Sequence, residues 1–213
     1  MTHFADSGSA EGHFTNRQLD RFDDILGALR ARGHNLPPVH AANTAALFLS
    51  PRARYDLVRP GIGLFGVQEF DGRDAGLKPI LSWKARIILT RKVGKGESVS
   101  YGMRWKSPGA REVAVVMAGY ADGYSRQLSG KARAIMGGKL IRQIGTICMD
   151  NCMFDVTGCA ARAGDVVTLI GEEGRARVTA VELARECGTI AYEVLCGIGR
   201  RVERVYVRGE QLS

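Results

Sequence analysis

The sequence predicts an α/β stretch followed by a domain of mostly antiparallel β structure, and three observations carry that reading. Up to about residue 76, short strand-like runs alternate with helix-capping signals. Beyond residue 77, β-branched runs are broken by Gly, Asp and Asn, and helical periodicity is confined to one short segment. Apolar residues make up 45% of the chain against 24% charged, which is enough for a buried core and excludes wholesale disorder.

In the α/β stretch, TNRQLDRFDDILGALRARG sets Leu19, Phe22, Ile25, Leu26 and Leu29 at helical spacing. Thr15 or Asn16 is placed to cap the start, and Gly33 to take the left-handed conformation past the end. Pro37 and Pro38 bar a helix, VHAA then reads as a strand, and NTAALFL reads as a helix capped by Asn43 or Thr44. YDLVRPGIGLFG repeats the pattern with a strand, a Pro-Gly turn and a helix start. Counting the opening HFAD run, this makes three strand-helix units, the grammar of a βα barrel or an open parallel sheet. Three units cannot close a barrel of eight strands and would leave a raw sheet edge, so further barrel is expected ahead of Met1.

In the second part, residues 84–93, 113–119, 132–135, 141–156 and 165–170 read as strands. TAVELARECG is the one helix expected there, with Thr179 and Glu182 as a capping box and Gly188 as its stop. The closing RRVERVYV alternates like a surface strand. The domain boundary is expected at residues 76/77.

Composition narrows the function classes. The net charge of +8 allows an anionic partner, yet the basic residues are scattered, arginine supplies 23 of the 30, and aromatics reach only 7%. No nucleic-acid partner is expected, because a strand-based binding face needs interleaved aromatic and basic residues. No run approaches the roughly 20 apolar residues of a membrane span, and no secretory signal is present, so neither a membrane partner nor export is expected and the chain reads as cytoplasmic. Five cysteines, odd in number and set in apolar runs, fit reduced packing thiols; the C-x3-C of Cys148 and Cys152 has no second pair or histidine near it, and no metal site is expected.

Four stretches carry chemistry. VRPGIG ends a strand on Arg59 and offers the backbone N–H groups of Gly61 and Ile62 to an anion. HAANTA places the Thr44 hydroxyl at another helix start. VSYG presents Tyr101, a phenol that needs a cation or donor nearby to act as a base. GYADGYSR and GTICMDNCMFDV put a turn after Tyr120 and a carboxylate, Asp150, into an apolar run where it needs water or a partner.

In order and spacing, HFAD, HAANTA, RPGIGLFG, VSYG, GYADGYSR, GTICMDN and GTIAYEVLC resemble the alanine racemases, over nearly the whole chain from Thr2 to Tyr206. The resemblance implies the last βα units of a TIM-like barrel, followed by a mostly antiparallel β domain. It implies pyridoxal 5'-phosphate (PLP) as cofactor, alanine as substrate, D-alanine made for peptidoglycan, and a homodimer with shared active sites. Carried over by position, Arg59 faces the pyridine nitrogen, and Asn43, Thr44, Gly61, Ile62 and Tyr192 belong to the cofactor site, with the phosphate on Thr44, Gly61, Ile62 and Tyr192. His3 belongs to the network around Arg59. Tyr101 is the base on the L-alanine face, contributed by the partner subunit; the backbone of Met149 helps bind the substrate carboxylate, and Tyr120 and Asp150 line the channel that admits substrate. Thr44 stands where the family usually has serine, Thr146 where it commonly has arginine, and Asn151 where it commonly has glutamine. A non-catalytic PLP-binding protein and a racemase of broader substrate range are the alternatives, and VSYG favours the racemase over a PLP decarboxylase.

The family also needs a lysine that forms a Schiff base with the cofactor, near the start of the barrel. Residues 1–77 contain no lysine, and the seven lysines run from Lys78 to Lys139. The expectation is therefore a C-terminal portion of an alanine racemase that is inactive alone.

Overall fold

Two parallel strands organise the first of two units in the computed structural model, which describes residues 1–9, 11–72 and 74–207. This unit runs from Met1 to Ile80, and the second begins at Leu81. Helix α1 (His13–Ala31) precedes strand β1 (His40–Asn43), helix α2 (Thr44–Leu49) and strand β2 (Leu57–Arg59). β1 and β2 pair in parallel with Asn43 opposite Arg59. Ala41, Ala42, Ala46 and Ala53 pack with Phe4 and Leu19 into the core, and the small alanine side chains let helix and strand backbones approach closely. Phe22 meets Tyr55 edge-on at 5.5 Å.

Three local expectations change here. α1 starts at His13 with Gly12 (φ 61°) as its N-cap, three residues before Thr15, whose hydroxyl donates to the Asp6 carbonyl (2.6 Å) instead of capping the helix. Ile25 keeps helical spacing yet is 57% exposed. The HFAD run forms no ladder strand: the bond to β1 comes from the residue before it, Thr2 N–H to the His40 carbonyl at 3.3 Å, so the described residues hold two strand-helix units, not three.

The second unit is a mostly antiparallel sheet. It is built from β3 (Trp83–Val93), β6 (Arg111–Val116), β7 (Arg133–Met136), β8 (Lys139–Ile144), β9 (Cys152–Asp155), β10 (Val166–Glu173) and β11 (Ala176–Val178), with a small hairpin of β4 (Ser98–Val99) and β5 (Trp105–Lys106) beside it. The strand order is β11-β10-β3-β6-β9-β8-β7, and a bridge from Thr168 of β10 to Ile135 of β7 closes the sheet on itself, which removes most of its raw edge. Trp83, Ile87, Val116, Ile135, Phe154 and Leu169 fill the interior.

The expected 141–156 run is two strands, β8 and β9. Gly145 (φ 67°) turns the chain out of the ladder, while Thr146 and Ile147 stay buried, which is why the run looked continuous. Helix α3 (Ala180–Cys187) carries the expected Thr179–Glu182 capping box and Gly188 stop. A second helix, α4 (Ala191–Gly197), follows it; at seven residues it is too short to announce itself by periodicity. RRVERVYV is not a strand: no ladder among the described residues receives it, and the Arg204 guanidinium folds back onto the carbonyls of Ile198, Gly199 and Val202.

Candidate active site

The first unit gathers its chemistry at the C-terminal ends of β1 and β2, the end where parallel α/β sheets present their loops. Arg59 closes β2, and its guanidinium meets four partners through its two terminal nitrogens. It meets His40 Nδ1 at 2.7 Å and His3 Nδ1 at 3.0 Å, and donates to the carbonyls of Ala41 (2.9 Å) and Thr2 (3.1 Å). A guanidinium only donates, so both Nδ1 atoms accept and each imidazole carries its proton on Nε2. Asn43 caps α2, its Oδ1 accepting from Ala46 N–H (3.0 Å) and from the Ser7 hydroxyl (2.9 Å).

Thr44, buried in the first turn of α2, accepts a hydrogen bond from Gly63 N–H at 3.1 Å. This leaves the hydroxyl proton of Thr44 to donate elsewhere. Gly63 must lack a side chain, since a Cβ there would stand 2.8 Å from Thr44 Cγ2. The Gly61–Ile62 backbone opens the 3-10 turn Ile62–Phe65 beside this hydroxyl. His3, Asn43, Thr44, Arg59, Gly61 and Ile62 are thus brought into one corner. His40 is the member that the sequence reading passed over; the signal available was a histidine at the start of a strand whose parallel neighbour ends in arginine.

The second unit collects Tyr101, Tyr120, Met149 and Asp150 around the loop between β8 and β9. Tyr101, 75% exposed as a residue, opens the turn Tyr101–Met103 after β4. The backbone beneath it is unusual: Ser100 has φ 69° and ψ 177°, a region essentially reserved for glycine, and Gly102 and Met103 also have positive φ. A non-glycine residue held there costs about 1–3 kcal/mol and persists only when its surroundings over-determine it. Those surroundings are the Gly145–Thr146 segment. Ser100 Oγ donates to the Thr146 carbonyl at 2.6 Å, and Thr146 Oγ1 donates to the Tyr101 carbonyl at 2.8 Å.

The same loop zips onto the next one. Tyr120 and Ala121 N–H donate to the carbonyls of Cys148 and Met149, both at 3.0 Å. A Cβ on Gly119 would lie 2.2 Å from the Met149 carbonyl oxygen, so only glycine lets the loops meet. The carboxylate in the apolar run has its partner: Arg201 joins Asp150 (2.7 Å) and the largely buried Asp122 (3.2 Å). Asp122 also accepts from Gly119 N–H at 2.9 Å, fixing the ADG turn. Tyr192 is the second residue of α4. Cys152 is buried in β9, and burial pushes its thiol far above the ordinary range, the state of an unreactive packing residue.

Comparison with known proteins agrees with this arrangement. Residues 80–206 match the family model described as "Alanine racemase, C-terminal domain", and residues 1–69 match "Alanine racemase, N-terminal domain". The alanine racemase of Chlorobaculum tepidum is 41% identical over 209 residues, 97% of this chain and 54% of that protein. The crystal structure of alanine racemase from Streptomyces coelicolor superposes with a TM-score of 0.90 at 36% identity, covering 96% of this chain and 55% of that one. Alanine racemase from Bartonella henselae, crystallised with covalently bound pyridoxal phosphate, gives a TM-score of 0.87 at 29% identity over 97% of this chain and 56% of that one. The chain belongs to the alanine racemase family, a family of PLP-dependent isomerases, and corresponds to its C-terminal portion. It spans about half the length of the curated relatives it matches. No helix among the described residues is long and apolar enough to cross a membrane.

Proposed function

We propose that this chain provides one wall of the cofactor site and the L-face proton carrier of an alanine racemase. The observation that supports this most is the Arg59 corner: a guanidinium immobilised by two imidazoles and two carbonyls, next to a hydroxyl whose proton is free to donate. These residues fit PLP. Thr44 Oγ1 and the backbone N–H of Ile62 would hold its phosphate, with Gly61 N–H turning to it from the Arg59 carbonyl that it bonds at 2.9 Å. Arg59 would face its pyridine nitrogen, where a permanently charged donor keeps that nitrogen unprotonated. When bound, PLP supplies an electron sink that acidifies the substrate's Cα–H.

Tyr101 Oη takes the proton from Cα of L-alanine and returns it in the reverse direction, acting in the site of a partner subunit of a homodimer. The Met149 backbone orients the substrate carboxylate, and Tyr120 and Asp150 shape the channel, which Arg201 holds through Asp150. Racemisation needs a second base on the opposite face and a lysine to hold the cofactor covalently. With no lysine among residues 1–77, the 213-residue chain on its own is not expected to racemise alanine.

The test has two arms. The 213-residue chain is incubated with PLP, reduced with borohydride and weighed by mass spectrometry, and D-alanine formation is followed in parallel. Turnover by the chain alone would overturn the inactivity. In a complete racemase carrying these residues, Tyr101→Phe should lower L-to-D turnover by about 10²–10⁴-fold, the usual contribution of a general base. Undiminished turnover would remove Tyr101 from the mechanism.

A further inference from the structure

We propose that Thr146 is the positioning residue for Tyr101, fixing through the backbone the point from which the phenol reaches its proton. The inference rests on reading Tyr101 as the proton-transferring group. Tyr101 is 75% exposed, so burial in the second unit does little to orient its ring. What this unit does determine is the backbone that carries it. That backbone is held in a conformation it would not adopt unaided, with positive φ at Ser100, Gly102 and Met103.

Two hydroxyls impose the conformation reciprocally: Ser100 Oγ on the Thr146 carbonyl, and Thr146 Oγ1 on the Tyr101 carbonyl. Thr146 is only 2% exposed, so its bonds are sheltered from exchange with water. Its own segment is anchored on the far side. The buried Gln143 donates Nε2 to the carbonyls of Ile144 (2.8 Å) and Gly145 (3.2 Å), and Ile147 N–H donates to Ser129 Oγ (3.0 Å). Gly145 makes the approach possible, since a Cβ there would lie 2.8 Å from both Ser100 Cβ and the Val99 carbonyl oxygen. The clasp therefore runs from β8, through Gln143 and Thr146, to the Tyr101 carbonyl. A displacement of about 1 Å in a reacting group can cost on the order of 10²-fold in rate, so a hydroxyl that never touches substrate bears on turnover.

The experiment compares Thr146→Val, which keeps the shape and deletes the hydroxyl, with Thr146→Ser, which keeps the hydroxyl. In the 213-residue chain, amide hydrogen exchange is read at Met103, whose N–H bonds to the Ser100 carbonyl at 3.3 Å. Thr146→Val should speed that exchange about fivefold to tenfold, the size of one net hydrogen bond, while Thr146→Ser and the amides of β3 and β6 stay as in the native chain. In a complete racemase carrying these residues, Thr146→Val should lower kcat in the L-to-D direction by roughly tenfold or more with KM unchanged, and Thr146→Ser should restore it. Unchanged Met103 exchange in Thr146→Val, or failure of Thr146→Ser to restore, overturns the proposal. Loss of turnover in Tyr101→Phe with full turnover in Thr146→Val sinks this inference alone. Full turnover in Tyr101→Phe sinks the reading of Tyr101 and this inference with it.

Discussion

The Arg59 corner of the first unit and the Tyr101 turn of the second fix their functional groups in opposite ways. Around Arg59 the side chain itself is immobilised, with four partners on one guanidinium and an unremarkable strand behind it. Around Tyr101 the side chain is left open, and the structure acts on the backbone, through strained φ values and two reciprocal hydroxyl bonds. A group that must present a constant charge is best locked at its tip. In the role proposed for Tyr101, a group that exchanges a proton keeps its tip accessible and takes its precision from the main chain.

The largest effect that could break this contrast is Gly145→Ala. The added Cβ meets Ser100 and the Val99 carbonyl at 2.8 Å, on a residue at φ 67°, and should destabilise the second unit by about 3 kcal/mol in denaturant unfolding, far more than a surface glycine substitution. Next comes Arg59→Lys, which keeps the charge but loses the fork. About 2 kcal/mol of first-unit stability should go with it, read from the unfolding midpoint, because an ammonium cannot satisfy two imidazoles and two carbonyls in that plane.

A smaller effect of opposite sign is expected at Tyr124, fully buried against Trp83 with no hydrogen-bond partner for its hydroxyl among the described residues. Tyr124→Phe should raise stability by about 1 kcal/mol in the same assay; a loss would mean that the hydroxyl has a partner. The smallest effect is the response to acid. The Asp23 carboxyl is held below its ordinary range chiefly by the Tyr55 hydroxyl (2.7 Å), with Arg52 adding to this and burial opposing it. A depressed carboxylate contributes stability above its unfolded pKa and loses it as pH falls through the lower folded value. Acidification should therefore loosen α1, seen as loss of helical circular dichroism, before fluorescence of Trp83 and Trp105 changes, since both tryptophans lie in the second unit. Asp23→Asn should abolish that early phase.

Much of this molecule could be read from local sequence. The capping box of α3, the Asn43 cap, the Gly33 and Gly188 stops and the antiparallel character of the second unit all follow from short-range rules, because caps and alternation are satisfied within a few residues. The misses share one cause. Thr15 looked like a cap but is claimed by Asp6, nine residues back; RRVERVYV alternates like a strand but finds no ladder among the described residues; and HFAD joins no ladder, the bond to β1 coming from Thr2. Each depended on a partner that local pattern does not reveal.

The candidate site divides in the same way. Sequence by itself determined the identities: an arginine at a strand end, a hydroxyl at a helix start, a tyrosine before a glycine, and the absence of lysine from residues 1–77. Only the tertiary structure decided what holds them. His40 reaches Arg59 across the parallel pair, Arg201 reaches Asp150 from 51 residues away, and Thr146 reaches the Tyr101 carbonyl from 45 residues away. The reason is physical: a residue's chemistry is covalent and travels with the sequence, whereas its orientation is set by hydrogen bonds that exist only once distant segments have been packed together.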